Sequence, residues 1–160
     1  MTGKTHLMGG VAATIILTHT NTYDPLLFIS AGAIGALLPD ICHSGSKIGR
    51  RFKGLSKLIN KLFGHRTITH SLLFLILINM LVAFLTTNEG IRVGILIGMV
   101  SHLLLDAATK NGIKLLYPLK LTIRFPLTIR TGDKGEAVVM ALLSLLVLYY
   151  SKDVLIHYLY

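Results

Sequence analysis

The sequence has 160 residues, enough for one domain, of which 52% are hydrophobic and only 14% are charged. An ordinary soluble domain has about 25% charged residues, so the composition favours a membrane protein. The net charge of +9 favours anionic lipid head groups or phosphorylated substrates over nucleic acid as partners, although membrane topology alone also makes cytoplasmic loops basic. The single cysteine, Cys42, excludes an internal disulfide and fits a reduced compartment.

Five apolar runs predict transmembrane helices. Lys4 precedes the first run as in a signal peptide, but no A-x-A-like cleavage site follows, and we expect a retained helix. Several runs are shorter than the roughly 20 residues that a bilayer of about 30 Å requires, so flanking residues must extend them or the membrane must thin locally. A soluble helical bundle is the alternative, and five such runs leave it little polar face. The runs cover about Leu7–Thr18, Pro25–Leu38, Ser71–Thr86, Ile91–Leu105 and Ala137–Tyr150.

Two long basic connections, Ile41–Arg66 and Thr109–Gly135, determine the predicted topology. The positive-inside rule places both in the cytoplasm, with the N-terminus inside and the C-terminus outside. We therefore predict an all-α fold, a polytopic membrane helical bundle of about five transmembrane helices with two long basic cytoplasmic loops. Residues 1–160 would form a single membrane-embedded domain in the bacterial cytoplasmic (inner) membrane. The sequence predicts no oligomeric state.

The two basic connections differ in pattern. The stretch "IGRRFKGLSKLINKLF", Ile48–Phe63, has apolar residues at helical spacing with lysines and arginines between them. This pattern predicts one amphipathic helix lying on the membrane surface. The second connection alternates around Pro118 and Pro126, which predicts an extended or irregular segment with a short hairpin over the site.

Seven histidines and acids fall on the predicted cytoplasmic side, although the topology was inferred from Lys and Arg alone. Such groups near membrane spans usually face an interior or aqueous cavity, and histidine nitrogens with carboxylate oxygens are the ligands that zinc and similar divalent ions prefer. Each group alone has a simpler interpretation as a helix cap or hydrogen-bonded pair, but together they predict a metal site. The seven are His6, Asp40, His43, His65, His70, His102 and Asp106.

Spacing adds detail to this predicted site. His102 and Asp106 are four residues apart and share one helix face. His65 and His70 are five apart and cannot share a face of an ideal helix. One is expected to precede the third apolar helix and the other to lie in its first turn, so that both can point into one cavity.

Three stretches carry a resemblance to a known family: "GALLPDICHS" (Gly35–Ser44), "HRTITHSLL" (His65–Leu73) and "GMVSHLLLDAATKNGIKLLYPL" (Gly98–Leu119). With "KTHLMGG" (Lys4–Gly10), they resemble the membrane-bound metal-dependent hydrolases often described as LexA-regulated. That family is thought to be similar to the zinc-dependent phospholipase C and P1 nuclease superfamily, helical enzymes that hold up to three zinc ions. The resemblance implies hydrolysis of phosphate esters.

The resemblance also assigns roles to individual residues. The best matches to the family's ligands are His6, Asp40, His70, His102 and Asp106. His43 and His65 are implied to be ligands or to support the ligands. The chain departs from the family at Cys42, where the family commonly has a second acid. A thiolate can bind zinc, and the alternatives are the loss of one metal or a changed selectivity.

The expected function is that of a zinc-dependent phosphoesterase acting on a phospholipid or lipid phosphate at the cytoplasmic membrane face. The cofactor would be one to three divalent metal ions, zinc first among them, and the partners would be the lipid bilayer and a phosphorylated lipid-like substrate, with no nucleic acid expected. A bound metal would activate water, Asp40 or Asp106 could act as general base, and Arg66 could neutralise developing phosphoryl charge. The simpler role of Arg66 is a topology charge.

The second basic connection could close over the substrate through Tyr117, Arg124 and Arg130. Two other functions remain open: a metal-ion transporter, and a non-catalytic membrane protein whose basic loops bind nucleic acid or another acidic partner. A transporter would favour midplane sites and internal repeats, which the sequence lacks. No HExxH, GxSxG or P-loop motif is present to indicate a metalloprotease, serine hydrolase or NTPase.

Overall fold

The computed structural model describes residues 1–63 and 67–159. Within these ranges the chain is all-helical, as predicted. Short 3-10 turns at Thr18–Thr20, Leu38–Cys42 and Ile68–His70 interrupt the longer helices. The α-helices are α1 (Gly3–Leu17), α2 (Pro25–Gly35), α3 (Lys47–Arg51), α4 (Lys53–Phe63), α5 (Leu72–Leu85), α6 (Glu89–Ala107) and α7 (Lys134–Leu159).

Helices α1, α2 and α6 pack against one another and form the centre of the bundle. Glycines allow the close approach: a Cβ on Gly98 of α6 would lie 2.0 Å from the carbonyl oxygen of Gly32, and one on Gly35 of α2 would lie 2.2 Å from that of Ile95. Small residues at helix interfaces let backbones approach closely in membrane proteins. This close packing of the helices positions the site, because α1 and α6 carry residues of the predicted site. Helix α2 leads directly into the turn that carries a further residue of that site.

Helices α5 and α7 lie at the periphery of this three-helix centre, with α5 against α6 and α7 against α1. Their outer faces are apolar, and Phe84 of α5 and Leu148 of α7 are 88% and 68% exposed. Such surfaces suit hydrocarbon and not water, because exposed apolar patches of this kind are rare on soluble monomers. The apolar outer faces of α5 and α7 are therefore the surfaces expected to contact lipid.

Three helical stretches within the described residues are long and apolar enough to cross a membrane: Pro25–Cys42, Glu89–Ala107 and Lys134–Lys152. Helices also cover the other two predicted runs, but α1 has 15 residues and α5 has 14. At 1.5 Å per residue these two extend only about 22 Å, short of the hydrocarbon thickness of about 30 Å. The prediction of a helix in every apolar run is confirmed, and the count of five spans stays a prediction.

The first basic connection forms two helices, so the prediction of one continuous amphipathic helix over Ile48–Phe63 is wrong at Phe52. There the backbone leaves the helical region, with φ −117° and ψ 54°. Helix α3 is fixed by the preceding turn, because Gly49 packs so closely that a Cβ would lie 1.9 Å from the carbonyl oxygen of His43. Helix α4 keeps the predicted amphipathic character, with Leu58 and Leu62 more than half exposed, and its position on the membrane surface stays a prediction.

The second basic connection contains the predicted short hairpin. The backbone N–H of Ile113 donates to the carbonyl of Ile123 at 3.0 Å, and the reverse bond is 2.8 Å. However, Ile113 packs against Leu103 and Ala107 on the side of α6. The hairpin therefore contacts the side of α6, and the expectation that this connection covers the site stays a prediction. From this connection it is Thr131 that reaches the cavity described below.

Candidate metal centre

Five predicted ligands converge from four separate segments at one end of the central helices. His6 comes from the first turns of α1, Asp40 from the 3-10 turn after α2, and His70 from the 3-10 turn before α5. His102 and Asp106 come from the last turns of α6. The three histidines and Asp106 are fully buried, whereas the Asp40 side chain is 15% exposed.

Four of these side chains present donor atoms at the spacing of a metal site. The Nε2 atoms of His70 and His102 are 3.2 Å apart. Oδ2 of Asp106 lies 3.3 Å from Nε2 of His70 and 3.7 Å from Nε2 of His102. Oδ1 of Asp40 lies 3.9 Å from each of the two nitrogens. Ligands about 2.1 Å from a tetrahedral zinc ion are about 3.4 Å apart, so these five distances are close to those between the ligands of one metal ion. His70, His102 and Asp106 form one donor group whose atoms lie within 4.8 Å of one another.

Neighbouring groups orient the histidines so that their Nε2 atoms face this space. Nδ1 of His102 is 2.7 Å from the carbonyl oxygen of Ala36, which can only accept a hydrogen bond, so the ring proton belongs on Nδ1. Nδ1 of His70 is 3.1 Å from Oγ1 of Thr69. Metal-ligating histidines are commonly held through the second ring nitrogen in this way, which fixes the tautomer and leaves Nε2 as the ligand.

His6 extends the cluster behind His102. The two rings stack with centroids 3.6 Å apart, and Nε2 of His6 lies 3.2 Å from Oδ1 of Asp106, which also pairs with the amino group of Met1. Among the described residues, neither ring nitrogen of His6 has a hydrogen-bonding partner of good geometry. Buried polar atoms rarely lack partners. His6, Asp40 and His102 also form a second group whose donor atoms lie within 4.8 Å of one another.

The donor set fits a divalent metal such as zinc. Imidazole nitrogens and carboxylate oxygens are its usual ligands, and a cation beside His6 would bind a buried ring nitrogen that makes no hydrogen bond of good geometry. The surroundings also favour positive charge. Burial opposes protonation of His70, but hydrogen bonds from its ring to Asp106 and Cys42, together with the charge interactions with both residues, raise the pKa of His70 above its usual value.

Two of the remaining predicted residues, His43 and Cys42, lie in the part of the chain that the structure describes. His43 follows the turn Leu38–Cys42 in an extended conformation, and its exposed side chain lines a neighbouring cavity. Cys42 is buried with its Sγ 3.7 Å from the carbonyl oxygen of Pro39. Its side chain also hydrogen-bonds with the ring of His70, although it belongs to neither described donor group. His65 and Arg66 lie outside the described residues. His70 precedes α5 instead of belonging to its first turn, because Ser71 is the residue that caps that helix.

An open cavity of about 550 Å³ adjoins the cluster. Asp40 belongs to both, since its carboxylate faces the histidines and also lines the cavity wall. The other predicted ligands in the cluster are sealed from solvent. A small molecule that enters the cavity would therefore meet the metal-binding atoms on the side of Asp40.

A family model described as YdjM inner membrane protein matches residues 1–159. The chain belongs to the YdjM family. It is 49% identical over 150 residues to the uncharacterized protein YvsG of Bacillus subtilis, with 94% of each chain covered. It is 31% identical over 149 residues to the inner membrane protein YdjM of Escherichia coli, covering 85% of this chain and 76% of that one. No solved structure matches the chain.

Membership of the YdjM family and the apolar helices support an inner-membrane location. The membrane part of the predicted resemblance is thereby confirmed. The relationship to the phospholipase C and P1 nuclease superfamily, the hydrolase activity and the bound zinc stay predictions.

One residue near the site in this YdjM-family chain was missed by the sequence reasoning. Glu136, at the start of α7, is 4% exposed. Its Oε1 accepts hydrogen bonds from Oγ1 of Thr5 at 2.6 Å and from the backbone N–H of Thr2 at 2.5 Å, and its Oε2 accepts one from Gly132 N–H at 2.6 Å. These bonds hold the start of α1, and hence His6, against α7. Thr2 and Thr5 are more than 130 residues from Glu136, and local spacing gives no signal of such pairing.

Proposed function

We propose that this YdjM-family chain is a membrane-bound metal-dependent hydrolase, a zinc-dependent phosphoesterase that acts on a phospholipid or lipid phosphate at the cytoplasmic face. The observation that carries the proposal is the set of four donor atoms from His70, His102, Asp106 and Asp40, spaced 3.2 to 3.9 Å along five measured edges. Catalytic zinc sites are built from such residues, with a position left open to solvent.

A zinc ion bound there would supply a water-derived hydroxide near neutral pH and would polarise a phosphoryl oxygen. The protein's own residues prepare the position. Ala36 and Thr69 hold the two histidine rings in place, so little reorganisation is needed when a substrate arrives. The burial of His102 and Asp106 keeps bulk water away from one side of the site.

Asp40 is the residue best placed to handle a proton. Its carboxylate is partly exposed and borders both the donor cluster and the cavity. A general base must lie within hydrogen-bond reach of the proton that it removes, and water in the cavity can approach Asp40 directly. We assign Asp40 the role of general base at Oδ1, or of the ligand nearest to solvent, and Asp106 the role of a buried ligand.

The position of the site supports a lipid-like substrate. The donor cluster lies at one end of helices that are apolar enough to span a bilayer, and the basic helices α3 and α4 follow on the same side. The positive-inside rule assigns that side to the cytoplasm. A substrate with an apolar tail could remain in the bilayer while its phosphorylated head reaches the cavity.

The test is metal content per chain, measured by mass spectrometry on detergent-purified protein. We expect at least one zinc or similar ion in the wild type and none in the double variant His102→Ala/Asp106→Ala. His19→Ala is the matched control, because His19 lies at the other end of α1 against Tyr150, and it should retain the metal. A panel of phosphate esters, beginning with lipid phosphates, is then tested for hydrolysis. We expect the rate of hydrolysis to rise and fall with the metal content of the variants.

A folded wild type that binds no metal even after zinc is supplied would overturn the proposal. Metal binding without hydrolysis, accompanied by metal flux into proteoliposomes, would favour a transporter. Function that depends on the basic loops and survives His102→Ala would favour a non-catalytic membrane protein that binds an acidic partner.

A further inference from the structure

The cavity beside Asp40 has a strongly basic wall. Lys4 of α1 and Lys47 and Arg50 of α3 all line it. Among the described lining residues, Asp40 is the only carboxylate. Like charges around one concave space repel one another and raise the potential inside it. A cavity with this lining therefore favours an anion.

The basic wall is held in a fixed position relative to the donor cluster. Oγ of Ser46 donates to the carbonyl oxygen of Asp40 at 2.8 Å and accepts from the N–H of Gly49 at 2.8 Å. These bonds attach α3 to the turn that carries Asp40. Lys47 and Arg50 are three residues apart and lie on neighbouring positions of one helix face. Lys47 and Arg50 are exposed, but the helix that carries them is attached to the turn that carries Asp40.

Lys4 approaches the cavity from the opposite wall. It lies two residues before His6 on α1, and the bonds from Thr2 and Thr5 to Glu136 hold this end of the helix. Cations from two helices, α1 and α3, therefore line this open cavity. Binding of an anion between them would bring it next to Asp40.

We propose that this cavity is a binding subsite for a phosphate-bearing head group, with Lys4, Lys47 and Arg50 as the residues that determine specificity. A guanidinium group can bind two phosphate oxygens at once, and a lysine binds phosphate as a point charge. The volume of about 550 Å³ lies in the range of small-molecule sites. Since a water molecule takes about 30 Å³ of liquid, the cavity holds more than a bare phosphate.

This inference rests on the proposed function, because the phosphoesterase reaction defines the substrate that the cavity would bind. Anion binding can nevertheless be measured separately from hydrolysis. The probe is inorganic phosphate, titrated into zinc-supplied protein in nanodiscs of phosphatidylcholine and followed by calorimetry. We expect Lys47→Gln/Arg50→Gln to weaken phosphate binding at least about tenfold, because each lost charge-assisted hydrogen bond has roughly that effect or more. The matched control is Lys57→Gln/Lys61→Gln on α4, which removes the same charge from exposed positions that do not line the cavity.

Equal phosphate affinity in the wild type and both variants would overturn the proposal, as would a wild type that binds no phosphate. Metal content, measured on the same samples, should be unchanged in Lys47→Gln/Arg50→Gln. Selective loss of phosphate binding in that variant would support the subsite even if no hydrolysis is found, whereas the absence of metal would count against the hydrolase alone.

A second set of nanodiscs distinguishes the two sources of phosphate. Phosphatidic acid added to the phosphatidylcholine should weaken phosphate binding by the wild type if the subsite accepts a lipid head group from the bilayer. Unchanged phosphate affinity would assign the subsite to a water-soluble phosphate ester. Both results support an anion subsite, and each identifies a different class of substrate for the same residues.

Discussion

The two ends of the helical bundle contain similar residue types and use them differently. At the end opposite the donor cluster, Asp24 caps α2 by accepting from the N–H of Leu27 at 2.8 Å, and Asn88 caps α6 by accepting from the N–H of Ile91 at 3.0 Å. Both caps are exposed, and they satisfy free backbone donors at helix starts.

At the donor-cluster end, the side chains face one another instead of the backbone. His70 and His102 direct their Nε2 atoms toward each other and toward Asp106 without solvent access. Desolvating such groups is costly unless they are paired or bind an ion. Residue type alone therefore does not mark a functional site, whereas burial together with mutual orientation does.

The sharpest way to test this difference is to remove one ligand at the donor-cluster end. His70→Ala should weaken zinc binding more than 100-fold, since loss of a residue that merely supports a ligand already costs 10- to 100-fold. Competition with a zinc chelator measures the change. His19→Ala, at the other end, should bind zinc as the wild type does, and equal losses in the two variants would remove the distinction.

A second test perturbs the helix packing that brings the ligands together. Gly98→Ala should destabilise the protein by about 2–3 kcal/mol, because the added Cβ would meet the carbonyl oxygen of Gly32. Thermal unfolding in detergent would report the change. Gly54→Ala is the matched control, as nothing lies within 4 Å of its added Cβ, and it should leave stability unchanged or raise it. Comparable losses in both would show that the close approach is unimportant.

A third test removes a group that orients a ligand. Thr69→Val keeps the side-chain shape but removes the hydroxyl 3.1 Å from Nδ1 of His70. We expect zinc affinity to fall about tenfold, less than in His70→Ala. Thr20→Val, at the opposite end, removes an exposed hydroxyl that bonds to the carbonyl of Leu17 and should not change zinc affinity. A Thr69→Val variant with wild-type affinity would contradict the proposed tautomer control.

The smallest change is expected from a substitution at the end of the bundle opposite the donor cluster. Asn88→Ala removes the cap of α6 and should lower the free energy of unfolding by about 1 kcal/mol. Metal content should stay at the wild-type value, because this cap lies more than three helical turns from His102. Loss of metal in Asn88→Ala would mean that the two ends are coupled through α6.

Local patterns predicted the parts of the site that depend on local geometry. The spacing of His102 and Asp106 placed them on one face of α6, and the distribution of basic residues placed His6, Asp40 and His70 at the same end. The predicted helix in each apolar run was confirmed because long apolar segments have few alternatives in a membrane.

The features that sequence reasoning missed depend on contacts between distant segments. Glu136 binds the start of α1 across more than 130 residues. The break at Phe52 is a shorter-range case: Gly49 packs on the carbonyl of His43 only six residues earlier in the chain, and the His43 side chain is exposed. Neither periodicity nor spacing carries information on such contacts.

The dispersal of the donor atoms along the chain has a consequence for synthesis and membrane insertion. The predicted ligands extend from His6 to Asp106, so a nascent chain has no complete donor set until α6 has been made and has packed against α1 and α2. Metal captured at this centre would therefore mark chains that have finished assembly. Partly inserted chains would compete poorly for scarce zinc.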